Sequence, residues 1–151
     1  MTVLVGYDAT AASRRAVDEA AAEARLRGTS LRIVHVLEHD AGDSPTRARS
    51  ELDLSERAQA ELETIVEVCE RHGVEASSAV LHSLAGGAAQ TLLEEAESCD
   101  ADVIVLGLRP RPTIEKVLMG SVAREVARHA PCPVLVVKAD TDRGGEGEGR
   151  G

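Results

Sequence analysis

The segment that decides the fold runs from Val103 to Val137 and reads VIVLGLRPRPTIEKVLMGSVAREVARHAPCPVLVV. Two aliphatic runs, Val103–Leu106 and Val134–Val137, have the composition of β-strands. The first run stops at a glycine and is followed by a polar, proline-bearing loop. A helical pattern then begins at Gly120 and ends at a proline. The segment therefore predicts a strand, a long loop from residue 108 to about 115, a helix and a second strand.

The start of that helix is suited to holding an anion. Gly120 and Ser121 stand at its amino terminus, where free backbone N–H groups and the helix dipole favour negative charge. Three basic residues, Arg109, Arg111 and Lys116, lie in the loop just before it, in a chain whose net charge is -9. Each basic residue taken alone is more typical of a solvated loop. Together with the helix start, they favour a phosphate-bearing ligand.

The same segment resembles the signature of the universal stress protein family. In nucleotide-binding members, that signature reads glycine, two residues, glycine, nine residues, glycine, and then serine or threonine. Gly107, Gly120 and Ser121 match it, whereas Pro110 stands where the second glycine is expected. The resemblance extends over almost the whole chain, from Val3 to about Lys138.

The composition limits the functions open to the chain. Its 151 residues predict one domain with an aliphatic core, since it contains no Trp, no Phe and one Tyr. The acidic charge and the lack of aromatic stacking residues argue against nucleic acid as a partner. No apolar run approaches the length of a membrane span and no signal-peptide pattern opens the chain, so no membrane partner is expected. The three cysteines are widely spaced, which suggests neither disulfides nor a zinc site and favours a cytoplasmic protein.

Strand and helix patterns alternate along the whole chain. Besides the two strands above, strands are predicted at 2–7, 31–37 and 76–82, and helices at 11–26, 46–72, 87–98 and from residue 120. This rhythm predicts an α/β fold with a doubly wound, five-stranded parallel sheet and helices on both faces. Residues 139–151 are charged and glycine-rich, and are predicted to form a disordered acidic tail after a single domain over 1–138. The family resemblance implies a Rossmann-like fold with the strand order 3-2-1-4-5.

In a sheet of that order, a ligand is expected beyond the carboxyl ends of strands 1 and 4, where the order reverses. The resemblance implies that Asp8 lies near the ribose and phosphates of ATP, or near a magnesium ion, and that Val36 meets the adenine edge. The candidate residues also have structural explanations, since Asp8 or Thr10 can cap a helix, Val36 and Leu106 suit a core, and Gly120 with Ser121 can be an ordinary helix start. The residues expected to bind the nucleotide are Asp8, Val36, Leu106, Gly107, Arg109, Gly120, Ser121 and Val122.

Two functional interpretations stay open. In one, the chain is a stress protein that binds ATP, with magnesium, as a regulatory ligand. In the other, it is a dimeric stress protein of the non-nucleotide type that acts as an interaction module, which Pro110 favours because proline removes an N–H donor and fixes φ. The five histidines and three cysteines form no catalytic or metal-binding pattern. We therefore predict no catalytic residues and no protein metal site, and any ATP hydrolysis is expected to be slow.

The last strand, Val134–Val137, is expected at an edge of the sheet. An unpaired edge strand favours association with another chain, and pairing with the same strand of a second copy satisfies both edges by two-fold symmetry. The family resemblance also implies such a homodimer. The alternative is an edge blunted by Lys138 and the acidic tail.

Overall fold

The computed structural model describes residues 1–42, 45–108 and 119–139, and within these ranges strands and helices alternate. They are β1 (Thr2–Gly6), α1 (Ala11–Arg27), β2 (Ser30–His39), α2 (Pro45–Arg71), β3 (Ala76–Leu84), α3 (Ala88–Ser98), β4 (Ala101–Leu108), α4 (Ser121–His129) and β5 (Val134–Lys138). None of the described helices is long and apolar enough to cross a bilayer. The predicted tail lies outside the described residues except for Ala139.

All five strands belong to one parallel sheet with the order β3-β2-β1-β4-β5. At its centre, Val5 of β1 is level with Ile33 of β2 on one side and Val105 of β4 on the other. The predicted fold class and strand order are both confirmed. The order reverses between β1 and β4, and β3 and β5 form the two edges.

Helices cover both faces of the sheet because alternate strand residues point to opposite sides. On one face, Val3 and Val5 belong to a buried cluster that includes Leu62 of α2 and three alanines of α1, namely Ala16, Ala20 and Ala24. On the other face, Leu4 and Ile104 pack in a cluster with residues of α3 and α4. The runs Val3–Val5 and Val103–Leu106 are buried on both faces for this reason, whereas Leu135 in the edge strand β5 is exposed.

The end of β4 corrects one prediction. The strand continues through Gly107, which is level with Val137, and ends only at Leu108, which is level with Lys138. Gly107 does not stop the strand, because β5 extends far enough to pair with it. The rest of the predicted loop, including Arg109 and Pro110, lies outside the described residues.

Candidate functional site

A cavity of about 560 Å³ opens at the carboxyl ends of β1 and β4, where the strand order reverses. Its size is typical of a site for a small molecule or cofactor. Seven of the eight residues predicted to bind a nucleotide line it: Asp8, Val36, Leu106, Gly107, Gly120, Ser121 and Val122. The eighth, Arg109, lies outside the described residues. The structure thus brings these seven together, and their contact with a ligand stays a prediction.

A tight turn after β1 positions Asp8 at the cavity. Ala9 occupies the left-handed region with φ 63°, which is uncommon for a residue with a Cβ. The Asp8 carboxylate accepts hydrogen bonds from the backbone N–H of Thr10, at 3.2 Å, and from the Thr10 hydroxyl. These bonds hold the turn and fix the carboxylate beside the cavity.

Thr10, and not Asp8, is the N-cap of α1. Its hydroxyl accepts a hydrogen bond from the Ser13 backbone N–H at 3.2 Å. Ser13 is buried, and its own hydroxyl accepts from the Asp8 N–H at 3.2 Å and donates to the Thr10 carbonyl at 3.0 Å. The cap satisfies a backbone donor at the start of α1, so of the two predicted candidates for this cap Thr10 is confirmed and Asp8 is wrong.

The two signature glycines at the cavity have different environments. A Cβ on Gly107 would lie 2.6–2.7 Å from backbone atoms of Ala12 and Ser13, so packing of α1 on β4 already requires glycine there. Gly120 has φ -61° and ψ 160°, which any residue adopts, and a Cβ there would meet no described atom within 4 Å. Within the described part of the chain, neither packing nor backbone conformation accounts for glycine at position 120.

Two ionisable side chains lie beside the cavity on the α1 and α2 side of the sheet. Burial, followed by the hydrogen bond that the Tyr7 hydroxyl donates to Glu61, raises the pKa of Tyr7 to about 12. The ring of His35 stands edge-on to that of Tyr7, with centroids 5.9 Å apart. Burial lowers the pKa of His35, against the opposing charges of Asp8 and Glu61. At neutral pH His35 is therefore uncharged and adds no positive charge to the cavity.

Part of the cavity wall is formed by residues that the sequence patterns did not indicate. Glu38 lines it beyond Val36, and Ala88 and Leu92 line it from α3. Strand alternation was the available signal for Glu38, which lies two residues after Val36 and therefore on the same face of β2. The sequence carries no local signal for the two α3 residues, because only the packing of α3 on the sheet brings them to this edge.

The family model described as the universal stress protein family matches residues 1–138. The chain belongs to the universal stress protein family. This confirms the resemblance read from the Gly107–Ser121 signature. The matched range covers all five strands and the whole cavity.

Individual universal stress proteins match the chain over most of its length. One is the universal stress protein in the QAH/OAS sulfhydrylase 3′ region of Thermus aquaticus, which is 33% identical over 142 residues, covering 91% of this chain and 98% of that protein. A solved structure of the universal stress protein from Archaeoglobus fulgidus in complex with dAMP is 27% identical, with a TM-score of 0.68, and the match covers 91% of this chain and 98% of that one. A second solved structure, described as a universal stress protein in complex with cAMP, is 27% identical with a TM-score of 0.66, and the match covers 93% of this chain and 98% of that one.

Proposed function

We propose that this universal stress protein binds an adenine nucleotide, ATP accompanied by Mg²⁺, as a regulatory ligand in the cavity between β1 and β4. The observation that carries the proposal is Gly120, which stands at the amino terminus of α4 and borders the cavity, and where a Cβ would meet no described atom within 4 Å. Relatives of the same fold in complex with dAMP and cAMP support the choice of nucleotide.

The two ends of the cavity suit the two ends of a nucleotide. Backbone N–H groups at the start of α4, with the Ser121 hydroxyl, are suited to phosphate oxygens, as is the positive end of the helix dipole. The apolar side chain of Val36 lines the cavity from β2, which β1 separates from β4, and that of Leu106 lines it from β4. An apolar wall of this kind accommodates a flat base, and so we place the adenine there.

The residues present fit a magnesium ion that arrives with the nucleotide. No group of three or more metal-binding side chains occurs among the described residues. Mg²⁺ commonly takes its ligands from one or two carboxylates, substrate phosphates and water. Asp8 is the carboxylate that we assign to this role, because the Thr10 hydrogen bonds fix it at the cavity. The ion, when bound, would offset the repulsion between Asp8 and the phosphates.

One sequence feature favours the second interpretation, an interaction module without a nucleotide. Pro110 replaces the second glycine of the signature and removes one backbone donor from the loop. Arg109 precedes Pro110 in the sequence. We propose that the Arg109 guanidinium replaces the lost donor by pairing with phosphate oxygens.

Isothermal titration with MgATP tests the proposal, using the wild-type protein, Gly120→Val and the control Ala127→Val. Ala127 is exposed on α4 away from the cavity, so the control adds similar bulk to the same helix. We expect micromolar binding by the wild type and the control, and binding at least about tenfold weaker in Gly120→Val, as for loss of a charged hydrogen-bonding subsite. A folded wild-type protein that gives no binding heat would overturn the proposal and leave the interaction module.

The proposal includes three further features of the protein. We place the protein in the cytoplasm, because all the cysteines among the described residues are free thiols.

We propose a homodimer through Val134–Val137, supported by the position of β5 at the sheet edge and the exposure of Leu135. We also propose a single domain over 1–138 followed by a tail over 139–151, supported by the range of the family match.

A further inference from the structure

Glu38 brings a carboxylate to the cavity from the carboxyl end of β2. Strand β2 is in register with β1 only as far as Val34, which pairs with Gly6, whereas it stays paired with β3 as far as His39. The last five residues of β2, 35–39, therefore extend past the end of β1 and form a wall of the cavity. Val36 and Glu38 lie two residues apart on this wall, so their side chains point to the same face.

The turn after β3 holds the Glu38 carboxylate in place. Its Oε2 atom accepts a hydrogen bond from the Gly86 N–H at 3.0 Å. Gly86 has φ 83°, a left-handed conformation that favours glycine, and lies two residues before α3 begins. An ionised carboxylate has about four acceptor positions, so this bond orients the side chain and leaves further positions for a ligand. Within the described part of the chain, no ion pair involves Glu38.

The surroundings of this carboxylate suit the base of a nucleotide. Ala88 and Leu92 of α3 line the cavity together with Val36, and they give this side of it an apolar character. Val36 and Leu106 both pack in the cluster on the α3 and α4 face of the sheet, which is also the face of Glu38. Glu38 is therefore a charged acceptor at the border of the apolar surface on which we place the adenine.

The phosphates and the ribose are expected further from Glu38 than the base is. The phosphates are assigned to the start of α4, a helix that packs on β5 and α3. Strand β2 lies two strands from β4 and so about 10 Å from it across the sheet. The ribose joins base and phosphates and must lie between them, so a group on β2 beyond Val36 meets the far edge of the base. This separation also limits the repulsion between the carboxylate and the phosphates.

An ionised carboxylate selects for amino groups, because it accepts hydrogen bonds and has no proton to donate. The exocyclic amino group of adenine offers two N–H donors, and carboxylates accept from such amino groups where proteins read base edges. A purine that lacks the amino group leaves the carboxylate facing the base without a donor, which lowers the affinity for that analogue.

We propose that Glu38 determines base specificity by accepting a hydrogen bond from the exocyclic amino group of adenine. The inference rests on the nucleotide binding proposed above and names the residue that distinguishes adenine at that site. Glu38 is exposed, so water competes for its carboxylate. The expected discrimination is therefore about fivefold, as for one hydrogen bond of ordinary net strength.

Isothermal titration with MgATP and with the magnesium complex of purine riboside 5′-triphosphate tests the inference. The two nucleotides carry the same charge and differ in the 6-amino group alone. We expect the ratio of their affinities to fall about fivefold from the wild type to Glu38→Ala. Loss of the Gly86 hydrogen bond, or of one negative charge, changes both affinities alike and cancels in the ratio. A purely structural role of Glu38 would therefore leave the ratio unchanged.

Asp40→Ala is the matched control, because Asp40 is an exposed carboxylate two residues further along the chain and does not line the cavity. We expect it to keep the wild-type ratio. Binding of both nucleotides with the same ratio in Glu38→Ala would overturn the inference alone. If Glu38→Ala instead lost a preference for ATP over 2′-deoxy-ATP, the carboxylate would belong to the ribose and the inference would be wrong. A folded wild-type protein that binds neither nucleotide would overturn the proposed function and this inference together.

Discussion

At the scale of single residues, Tyr7 reports on the wall between the cavity and α2. It is the only tyrosine of the chain, it is buried, and its hydroxyl donates to Glu61. Burial and that hydrogen bond favour the neutral phenol in the folded protein and raise its pKa from 10 to about 12. Because the folded-state pKa lies above the unfolded value, the stability that this residue contributes is fully present below about pH 10 and is lost as the pH rises through 12.

Tyr7→Phe is expected to remove that alkaline dependence. At neutral pH we expect the free energy of unfolding to fall by about 1 kcal/mol, the usual value of one hydrogen bond. Between pH 9 and 12 (about the range between the two pKa values), the wild type should lose more stability than the variant. Absorbance of tyrosinate measures the titration directly, since there is one tyrosine. A midpoint near pH 10 in the folded protein would contradict the prediction.

At the scale of elements, the contact between α1 and β4 depends on Gly107. The backbone of Ala12 and Ser13 comes so close that a Cβ at position 107 would overlap it, and backbone cannot rotate away as a side chain does. The signature glycine therefore has a structural role apart from any ligand. This contact sets how near the start of α1, with Asp8 just before it, lies to the end of β4.

Gly107→Ala is expected to lower the free energy of unfolding by about 1–3 kcal/mol, because overpacking forces helix and strand apart. Gly120→Ala is the matched control, since a Cβ there meets no described atom and the backbone dihedrals suit alanine. We expect its stability to equal or slightly exceed that of the wild type. Urea denaturation followed by circular dichroism compares the three proteins. Equal stability of Gly107→Ala and the wild type would show that α1 and β4 adjust without cost.

At the scale of the whole molecule, the edge of the sheet formed by β5 favours self-association. Strand β5 pairs with β4 on one side, and its Leu135 is 38% exposed. Unpaired backbone groups and exposed aliphatic side chains on one strand favour pairing with another copy. The proposed homodimer would satisfy this edge by two-fold symmetry.

If the proposed homodimer forms through β5, Leu135→Glu is expected to convert it into a monomer, because the substitution places a carboxylate on each side of the proposed two-fold interface. Leu26→Glu is the control: Leu26 is 82% exposed on α1, so it adds the same charge elsewhere on the surface. Sedimentation velocity measures the mass of each protein. A monomeric wild type would contradict the dimer, and a dimeric Leu135→Glu would place the interface away from this strand.

The sequence by itself determined the order and type of the elements, because aliphatic runs and helical periodicity are local patterns. It also indicated part of the cavity, since carboxyl ends of parallel strands meet at one edge and the family signature places Gly107, Gly120 and Ser121 there. The sequence pattern predicted that β4 ends at Gly107, one residue or more too early, because local composition does not show the pairing of β4 with β5.

Only the tertiary structure decided the contacts between distant parts of the chain. The overlap that forbids a side chain at Gly107 comes from α1, almost a hundred residues earlier in the sequence. Tertiary packing also brings Ala88 to the cavity wall. It likewise brings Glu51 and His82, which are distant in the sequence, into contact with His39. Sheet register and helix packing determine which side chains meet at such places, and no local pattern of residues encodes those two quantities.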